Sequence, residues 1–366
     1  MNDIASRPLL AILAPLKNWG GLERKFLILC REFLNKGVQP ELVLTRGGKV
    51  PYPDHFPSQV KVVDLRAPSK LSAIPKLSHY LRCRKPDVLL TAKDHAAKAG
   101  VIARKMSRTR TPLFIKVTNT LSQTVRQRIK LLTIRWLYPQ ADGIIAVSKG
   151  VKQDLVQELG IPDALVHVVY NPTLTPDMEH RSSFTVDHPW LPAGNPPVFL
   201  GVGRLTTQKD FSTLIKAFAQ VRAQRNSKLI ILGEGPEREH LNGLIGQHKL
   251  ENDVHLPGHV QDPLPWMARV SAFVLSSQYE GLSNVLIEAM AMGTPLVATD
   301  CPSGSAEILE NGGLGNLVPV GDVESLAHSM LQALDHPSSP HKLRTSAKRF
   351  QSDVIAQQYL QLMGLA

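Results

Sequence analysis

The sequence predicts an α/β protein of two doubly wound domains, each a parallel sheet covered by helices on both faces. Three observations carry this. Short Leu-, Ile- and Val-rich runs alternate with amphipathic stretches of helical period along the whole chain. The runs are continuously apolar, as strands buried on both faces require. The alternation stops once, over residues 171–196 (NPTLTPDMEHRSSFTVDHPWLPAGNP), which are rich in proline and polar residues and have no period, and it then restarts. At 366 residues the chain is long enough for two such domains.

LLAILAP is the first strand. GLERKFLILCREFLNKG follows as a helix, with Leu22, Phe26, Leu29 and Phe33 close to helical spacing. ELVLT and VKVVDL read as strands, LSAIPKLSHYLRCR as a helix, PDVLLT as a strand and HAAKAGVIARKM as a helix. PLFIKVT leads into the basic helix TVRQRIKLLTIRWLYP; DGIIAVS, KGVKQDLVQELG and LVHVVYN complete the half. The second half repeats the scheme with strands PVFLGVG, SKLIILGEG, DVHLPG, SAFVLSS, PLVATD and GNLVPV. Its helices are DFSTLIKAFAQVRAQR, EREHLNGLIGQHKL, NVLIEAMAMG and VESLAHSMLQALDH, and SAKRFQSDVIAQQYLQLM closes the chain. The expected domains are residues 1–172 and 197–345, joined by a linker at 173–196, with a terminal helix over 346–366.

A content of 43% hydrophobic and 20% charged residues describes a globular chain and excludes a disordered one. The three cysteines, Cys30, Cys83 and Cys301, form no disulfide framework and no zinc-finger spacing, and they read as small buried hydrophobes in a reducing compartment. No run approaches the roughly 18–20 apolar residues that span a bilayer. LLAILAPL contains Pro15 and follows no basic stretch, so it reads as a buried strand and not as a signal peptide. Charge is uneven. Residues 1–170 hold 28 Lys and Arg against 12 Asp and Glu, a net +16, whereas 171–366 hold 14 against 19, a net −5. The front half therefore suits an anionic membrane surface, a phosphate-bearing ligand or nucleic acid.

In open α/β sheets ligands bind outside the carboxyl ends of the strands. Four turns there carry chemistry. In NWGGLER, Gly20 and Gly21 would let the backbone approach an anion at a helix start, although a plain tight turn fits equally and the GxGxxG spacing is absent. Glu23 reads as a first-turn residue favoured by the helix dipole. In GVGRLTTQKDF, Gly201 and Gly203 end a strand, and Arg204 and Lys209 could neutralise adjacent phosphates. ILGEGPEREHL ends a strand at Gly233-Glu234-Gly235, with Pro236 at a first helical position. LPGHV sets Pro257, Gly258, His259 and Val260 in an open turn whose main chain could read a base edge, while His259 alone reads as structural.

The fourth of the chemically loaded stretches along the back half, SSQYEGLSNVLIEAMAMGTPLVATD, holds Glu280 and Glu288 eight positions apart. The bare spacing is a weak signal; the context is stronger. A strand ends, a turn carries Glu280, and a helix stopped by Gly293 carries Glu288. Free N–H groups at Gly281, Leu282, Ser283, Asn284 and Val285 make an anion site, with the Ser283 and Asn284 side chains expected to cap the helix. A carboxylate beside such a site suits the vicinal hydroxyls of a sugar.

These residues resemble the retaining glycosyltransferases of the GT-B fold, specifically glycosyltransferase family 4. The likeness runs from GGLER, PDVLLT, DGIIAVSKGV and VVYNP through GVGRLTTQKDF, LGEGPEREHL and LPGHV to the Glu-x7-Glu segment, PSGSAEIL and the terminal helix RFQSDVIAQQYLQLM. The resemblance implies two Rossmann-like domains facing across a cleft, the first for the acceptor and the second for a nucleotide-diphosphate sugar, with the last helix crossing back to the first domain. It implies that Arg204 and Lys209 grip the diphosphate with the amides of Gly281 to Val285, beside Gly203. Glu288 would bind the ribose, Glu280 would contact the donor sugar near the reacting carbon, Gly20 and Gly21 would close over the phosphates, and Pro257 to Val260 would hold the base. Many relatives carry a histidine where this chain has Thr118 and Asn119; His95 is the nearest substitute on the acceptor side.

The implied reaction is retaining transfer of a sugar, a UDP-sugar being favoured, to a lipid-linked or polysaccharide acceptor in cell-surface glycan or lipopolysaccharide synthesis. No Asp-x-Asp occurs, so cations and helix amides are expected to stabilise the leaving diphosphate without a metal or other cofactor. Within TVRQRIKLLTIRWLYP, Val125, Ile129, Leu132 and Trp136 keep helical spacing among Arg126, Arg128, Lys130 and Arg135. This is either a membrane-resting face or a core-packed helix with a solvated basic side. The expected location is the cytoplasm, peripheral on the inner membrane. A sugar-nucleotide epimerase or a glycogen synthase-like polymerase shares the donor chemistry. A nucleic-acid-binding protein would explain the charge but leaves the second-half turns without a purpose.

Overall fold

The computed structural model describes residues 7–14, 21–45, 56–69, 71–125, 127–192 and 194–366. Two units make up the chain: Met1–Pro172 together with Gln351–Ala366, and Thr173–Phe350. Gly20 lies outside the described residues, and Gly21 is the first residue of a helix.

The first unit is a parallel sheet ordered β3-β2-β1-β4-β5-β6-β7. Its strands are β1 (Leu9–Leu13), β2 (Gln39–Leu44), β3 (Lys61–Asp64), β4 (Val88–Ala92), β5 (Leu113–Val117), β6 (Gly143–Ala146) and β7 (Val166–Val168). The helices are α1 (Gly21–Asn35), α2 (Ala73–Arg84), α3 (Asp94–Ser107), the short α4 (Leu121–Thr124), α5 (Arg128–Leu137) and α6 (Lys149–Gln153). β4 and β5 are buried at every position, as their largely apolar runs predict, and the burial extends to Thr91 and Lys116 within them. The expected helix from Thr124 to Pro139 is divided: α4 ends at Thr124 and α5 begins at Arg128. After α6 the chain continues as a π-helical turn, Asp154–Glu158.

The second unit has the order β10-β9-β8-β11-β12-β13. Its strands are β8 (Val198–Val202), β9 (Lys228–Leu232), β10 (Val254–Gly258), β11 (Ala272–Leu275), β12 (Leu296–Thr299) and β13 (Asn316–Val318). Its helices are α7 (Met178–Ser182), α8 (Phe211–Gln224), α9 (Arg238–Gln247), α10 (Leu264–Met267), α11 (Asn284–Met292), α12 (Ser305–Ile308), α13 (Val323–Asp335) and α14 (Pro340–Ala347). Phe199, Phe211, Leu214, Phe218, Leu229, Leu326 and Met330 fill the core between β8, β9 and the helices α8 and α13. The segment expected to be a linker belongs to this unit. It carries α7, and further on His188 shares a 2.9 Å hydrogen bond with His255 of β10 beside Trp190 and Trp266. Proline and polar content hid it, because its order comes from contacts with residues far along the chain.

The closing helix α15 (Ser352–Met363) packs in the first unit. Ile355, Ala356, Tyr359, Leu360 and Met363 join Phe26, Leu29, Cys30 and Phe33 of α1 in one core, and the Tyr359 and Phe33 rings meet edge to face with centroids 6.3 Å apart. Lys116 of β5 is inside this core. Its Nζ lies 5.2 Å from the Tyr359 ring centroid and 5.7 Å from that of Phe26, and it has no hydrogen-bond partner among the described residues. Burial, reinforced by Lys25, pushes its amine down to about 7. One expectation about the thiols fails. Cys30 and Cys301 are buried, but Cys83 is exposed on α2, its Sγ 3.5 Å from Nε2 of His79 one turn earlier.

Candidate functional site

The order of the second sheet reverses between β8 and β11, so the loops leaving these two strands lie side by side at the topological switch point. The loop after β8 is Gly203 to Asp210 and contains a single 3-10 turn, Thr207–Lys209. The loop after β11 is Ser276 to Ser283. The two are laced together: Gln278 N–H donates to the Gln208 carbonyl (2.8 Å), Gln208 Nε2 to the Tyr279 carbonyl (2.9 Å) and Ser276 Oγ to the Lys209 carbonyl (2.8 Å). This lacing brings Lys209 Nζ to 2.5 Å from Glu280 Oε1, which also accepts from Ser277 Oγ at 2.8 Å. Glu280 is 8% exposed, so its charge is held mainly by these two donors.

The Lys209 stem lies over Gly203, where a Cβ would come within 3.0 Å of its Cε. Gly233, at the end of β9, is tighter: its φ is +149° and a Cβ there would sit 1.8 Å from the Gly203 carbonyl oxygen. Only glycine permits this approach. The ends of β8, β9 and β10 are then tied by Gly203 N–H to the Leu232 carbonyl (3.0 Å) and Gly233 N–H to the Gly258 carbonyl (2.8 Å). Arg204 is exposed and makes no side-chain hydrogen bond or ion pair among the described residues, so it is available to a ligand. Pro236 does not open a helix as expected, since α9 begins at Arg238. The intervening turn is used instead by Arg238, whose guanidinium grips Glu234 (2.8 Å) and holds its carboxyl below the usual range.

α11 starts at Asn284 immediately after the Glu280 turn, so its free N–H groups open at the same switch point. Gly281, Leu282 and Ser283 are buried, Asn284 and Val285 half-buried. The capping expectation is corrected here. Ser283 holds the N-cap position, but its side chain caps nothing; its hydroxyl is buried without a partner among the described residues, and Asn284 Oδ1 accepts from Thr173 Oγ1 at 3.1 Å. Glu288 is half-buried one turn inside α11, and Gly293 ends the helix as expected. The β10 turn presents an exposed His259 and a half-buried Val260 after the buried Gly258.

In the first unit the order reverses between β1 and β4. His95, the second residue of α3, is therefore at that switch point, and Thr118 and Asn119 leave the neighbouring β5. Glu23 is in the first turn of α1, as expected. A cavity of about 620 Å³, lined by Val63, Leu65, Tyr80 and Cys83 among others, belongs to the β3 edge of this sheet and not to its switch point. No helix of the described residues is long and apolar enough to cross a membrane, and no group of three or more metal-ligating side chains occurs among them. Sequence reasoning missed Ser277, although it lies three positions before Glu280 in the stretch already singled out, and Arg181 and Asp262, which meet across 81 positions: Arg181 Nε donates to Asp262 Oδ2 at 2.9 Å.

Two parallel sheets, each with a switch point, and a lysine–carboxylate pair beside a helix N-terminus at the second, define a protein of two Rossmann-like domains. The chain belongs to glycosyltransferase family 4 and has the GT-B fold: residues 19–173 match Glycosyltransferase Family 4 and residues 185–350 match Glycosyl transferases group 1. It is 32% identical over 257 residues to the N-acetylgalactosamine-N,N'-diacetylbacillosaminyl-diphospho-undecaprenol 4-alpha-N-acetylgalactosaminyltransferase of Campylobacter jejuni, covering 69% of this chain and 67% of that protein. It is 27% identical to the lipopolysaccharide core biosynthesis glycosyltransferase LpsE of Rhizobium meliloti, over 94% of this chain and 96% of that one. Anabaena HepE, solved in complex with UDP, superposes with a TM-score of 0.82 over 98% of this chain and 99% of its own, at 22% identity, a likeness of fold.

Proposed function

We propose that this glycosyltransferase moves a sugar from a UDP-sugar, with retention of configuration, onto a lipid-linked or polysaccharide acceptor in cell-surface glycan synthesis. The observation that carries the reading is the Lys209–Glu280 pair at the second unit's switch point, directly before the N-terminus of α11. Cleavage of the sugar–phosphate bond leaves negative charge on the diphosphate, and fixed donors aimed at that charge lower the barrier. Lys209 keeps two ammonium hydrogens beyond the one on Glu280. With the unpaired Arg204, the amides of Gly281 to Val285 and the orphan Ser283 hydroxyl, it forms the diphosphate site. Glu288 takes the ribose hydroxyls, Glu280 stands beside the transferred sugar, and the Pro257–Val260 turn receives the base. His95, Thr118 and Asn119 line the acceptor side.

The acceptor reading draws on α5. Ile129, Leu132 and Trp136 are 76%, 61% and 69% exposed, while Ile134 and Leu137 face inward. The apolar stripe is thus on the outside of the helix, among Arg128, Lys130 and Arg135, which suits the interface of an anionic membrane carrying the acceptor.

The test is UDP release from a panel of nucleotide sugars, with Glu288→Gln expected to raise the donor KM and Glu280→Gln to lower kcat. Activity is expected to survive EDTA. Strict dependence on added metal, or UDP release insensitive to both substitutions, overturns these roles.

A further inference from the structure

We propose that Arg181 is a positioning residue for the nucleoside diphosphate: it locks the loop that follows β10 to the strap whose other end is tied to the first residue of α11. The inference rests on the donor reading above and goes beyond it, because the segment concerned lies outside every motif that supports that reading.

The segment from Thr173 to Phe184 is a strap pinned at four places within the second unit. Thr173 and Leu174 N–H groups donate to the Phe350 carbonyl at 3.1 and 3.0 Å. Thr173 Oγ1 donates to Asn284 Oδ1, at the first residue of α11. Arg269 Nη1 and Nη2 donate to the Ser182 and Ser183 carbonyls at 3.0 and 3.2 Å. Arg181, on α7, forks onto Asp262 with Nε to Oδ2 at 2.9 Å and Nη2 to Oδ1 at 3.0 Å. A bidentate fork fixes orientation as well as distance.

Pro257 and Gly258, expected in an open turn, are the last two residues of β10 itself, and Asp262 lies in the loop over 259–263 that joins β10 to α10. Its Oδ1 also accepts from the Leu264 N–H at 3.1 Å, so it sets the entry into α10. The other charges on Arg181 are Asp177, 3.6 Å from Nη1, and Glu288. Burial works against the guanidinium charge; the hydrogen bonds and charge of Asp262, with Asp177 and Glu288, outweigh it and hold Arg181 above its usual value. One cation thus forks onto the loop after β10 and lies in the same strap that holds Asn284 at the start of α11. Removing it leaves the Asp262 carboxylate without its fork and frees the loop to shift relative to α11.

Arg181→Ala, Arg181→Lys, Asp262→Asn and the double variant Arg181→Ala/Asp262→Asn test this in the full chain. UDP binding is read by calorimetry, donor KM and kcat by UDP release, and folding by Tm. The expected result for Arg181→Ala is a rise of about tenfold in both the UDP Kd and the donor KM, with kcat changed less than about threefold. Arg181→Lys falls between, since it keeps the charge and loses the fork. Asp262→Asn reproduces much of the loss, and the double variant is no worse than Arg181→Ala, because the residues act as one unit. A lower Tm with unchanged Kd and KM makes Arg181 a stability residue only and overturns the inference. Should Arg181→Ala fail to fold, Arg181→Lys and Asp262→Asn decide the same question. Glu288→Gln serves as the control. If it too leaves the UDP Kd unchanged, the donor reading falls and takes this inference with it; if it weakens UDP while the Arg181 and Asp262 variants do not, this inference alone falls.

Discussion

Lys209 Nζ and Glu280 Oε1 are 2.5 Å apart although 71 positions separate them, and the carboxylate they share with Ser277 is almost fully buried. Lys209→Ala would strand that carboxylate, so it should cost about 3 kcal/mol in chemical denaturation. Glu280→Gln keeps the Ser277 hydrogen bond and the shape of the turn. Its kcat should fall by about 10²–10³ with little loss of stability. Equal kcat values for wild type and Glu280→Gln would contradict a role for the charge.

Two glycine substitutions should have opposite effects. Gly233→Ala drives a Cβ to 1.8 Å from the Gly203 carbonyl oxygen at a φ of +149°, so the ends of β8 and β9 must separate. The loss should exceed about 3 kcal/mol and abolish UDP binding. Gly243, inside α9, has nothing within 4 Å of its Cβ position, and Gly243→Ala should stabilise by about 0.5–1 kcal/mol. Melting curves of the two variants distinguish them at once.

Lys116 gives stability a pH dependence of known sign. Its folded-state value is about 7 against an ordinary 10.5, so between these limits the unfolded chain binds a proton that the folded chain lacks. This contribution to stability therefore rises as pH increases from about 7 towards 10.5, by at most about 1.4 kcal/mol per unit, and is flat below 7 where both states are protonated. Lys116→Met should be more stable than wild type at pH 7, and the difference should vanish near pH 10.5. Parallel Tm profiles would show that the buried amine stays charged.

The exposed face of α5 makes a separate prediction. Leu132→Ser and Trp136→Ser should each weaken flotation with anionic vesicles by about tenfold. Their Tm should be unchanged, because both side chains already face outward. Wild-type protein that fails to float at low salt would remove the membrane from this picture.

Strand-helix alternation made both sheets legible, because strands buried on two faces are built mainly of apolar residues, as in β4 and β5, where only Thr91 and Lys116 are polar. Lys209 and Glu280 stand out in the sequence because turn glycines and a helix start surround them, and the structure brings the two side chains together; Glu288 keeps its expected place one turn inside α11. Arg181 and Asp262 were not legible: each looks like an ordinary surface charge, and only the fold reveals that they meet. The same limit explains Ser283. Its identity suits a helix cap, yet the hydroxyl is turned away from the backbone amides, a matter of rotamer that composition does not encode. The expected helix begins at Arg128 and not at Thr124, after the extended Val125 and Gln127; the β-branched Thr124 and Val125 are weaker helix formers than the residues that follow.

The hydrophobic core around Phe26, Cys30 and Phe33 is finished by Ile355, Tyr359 and Met363, which follow the whole second unit along the chain. During synthesis the first sheet therefore waits, one side open, while the whole second unit is translated and free to fold. A ribosome stalled before residue 351 would hold an unfinished first unit beside a complete second one. Chains truncated there should depend on chaperones for the half that was synthesised first.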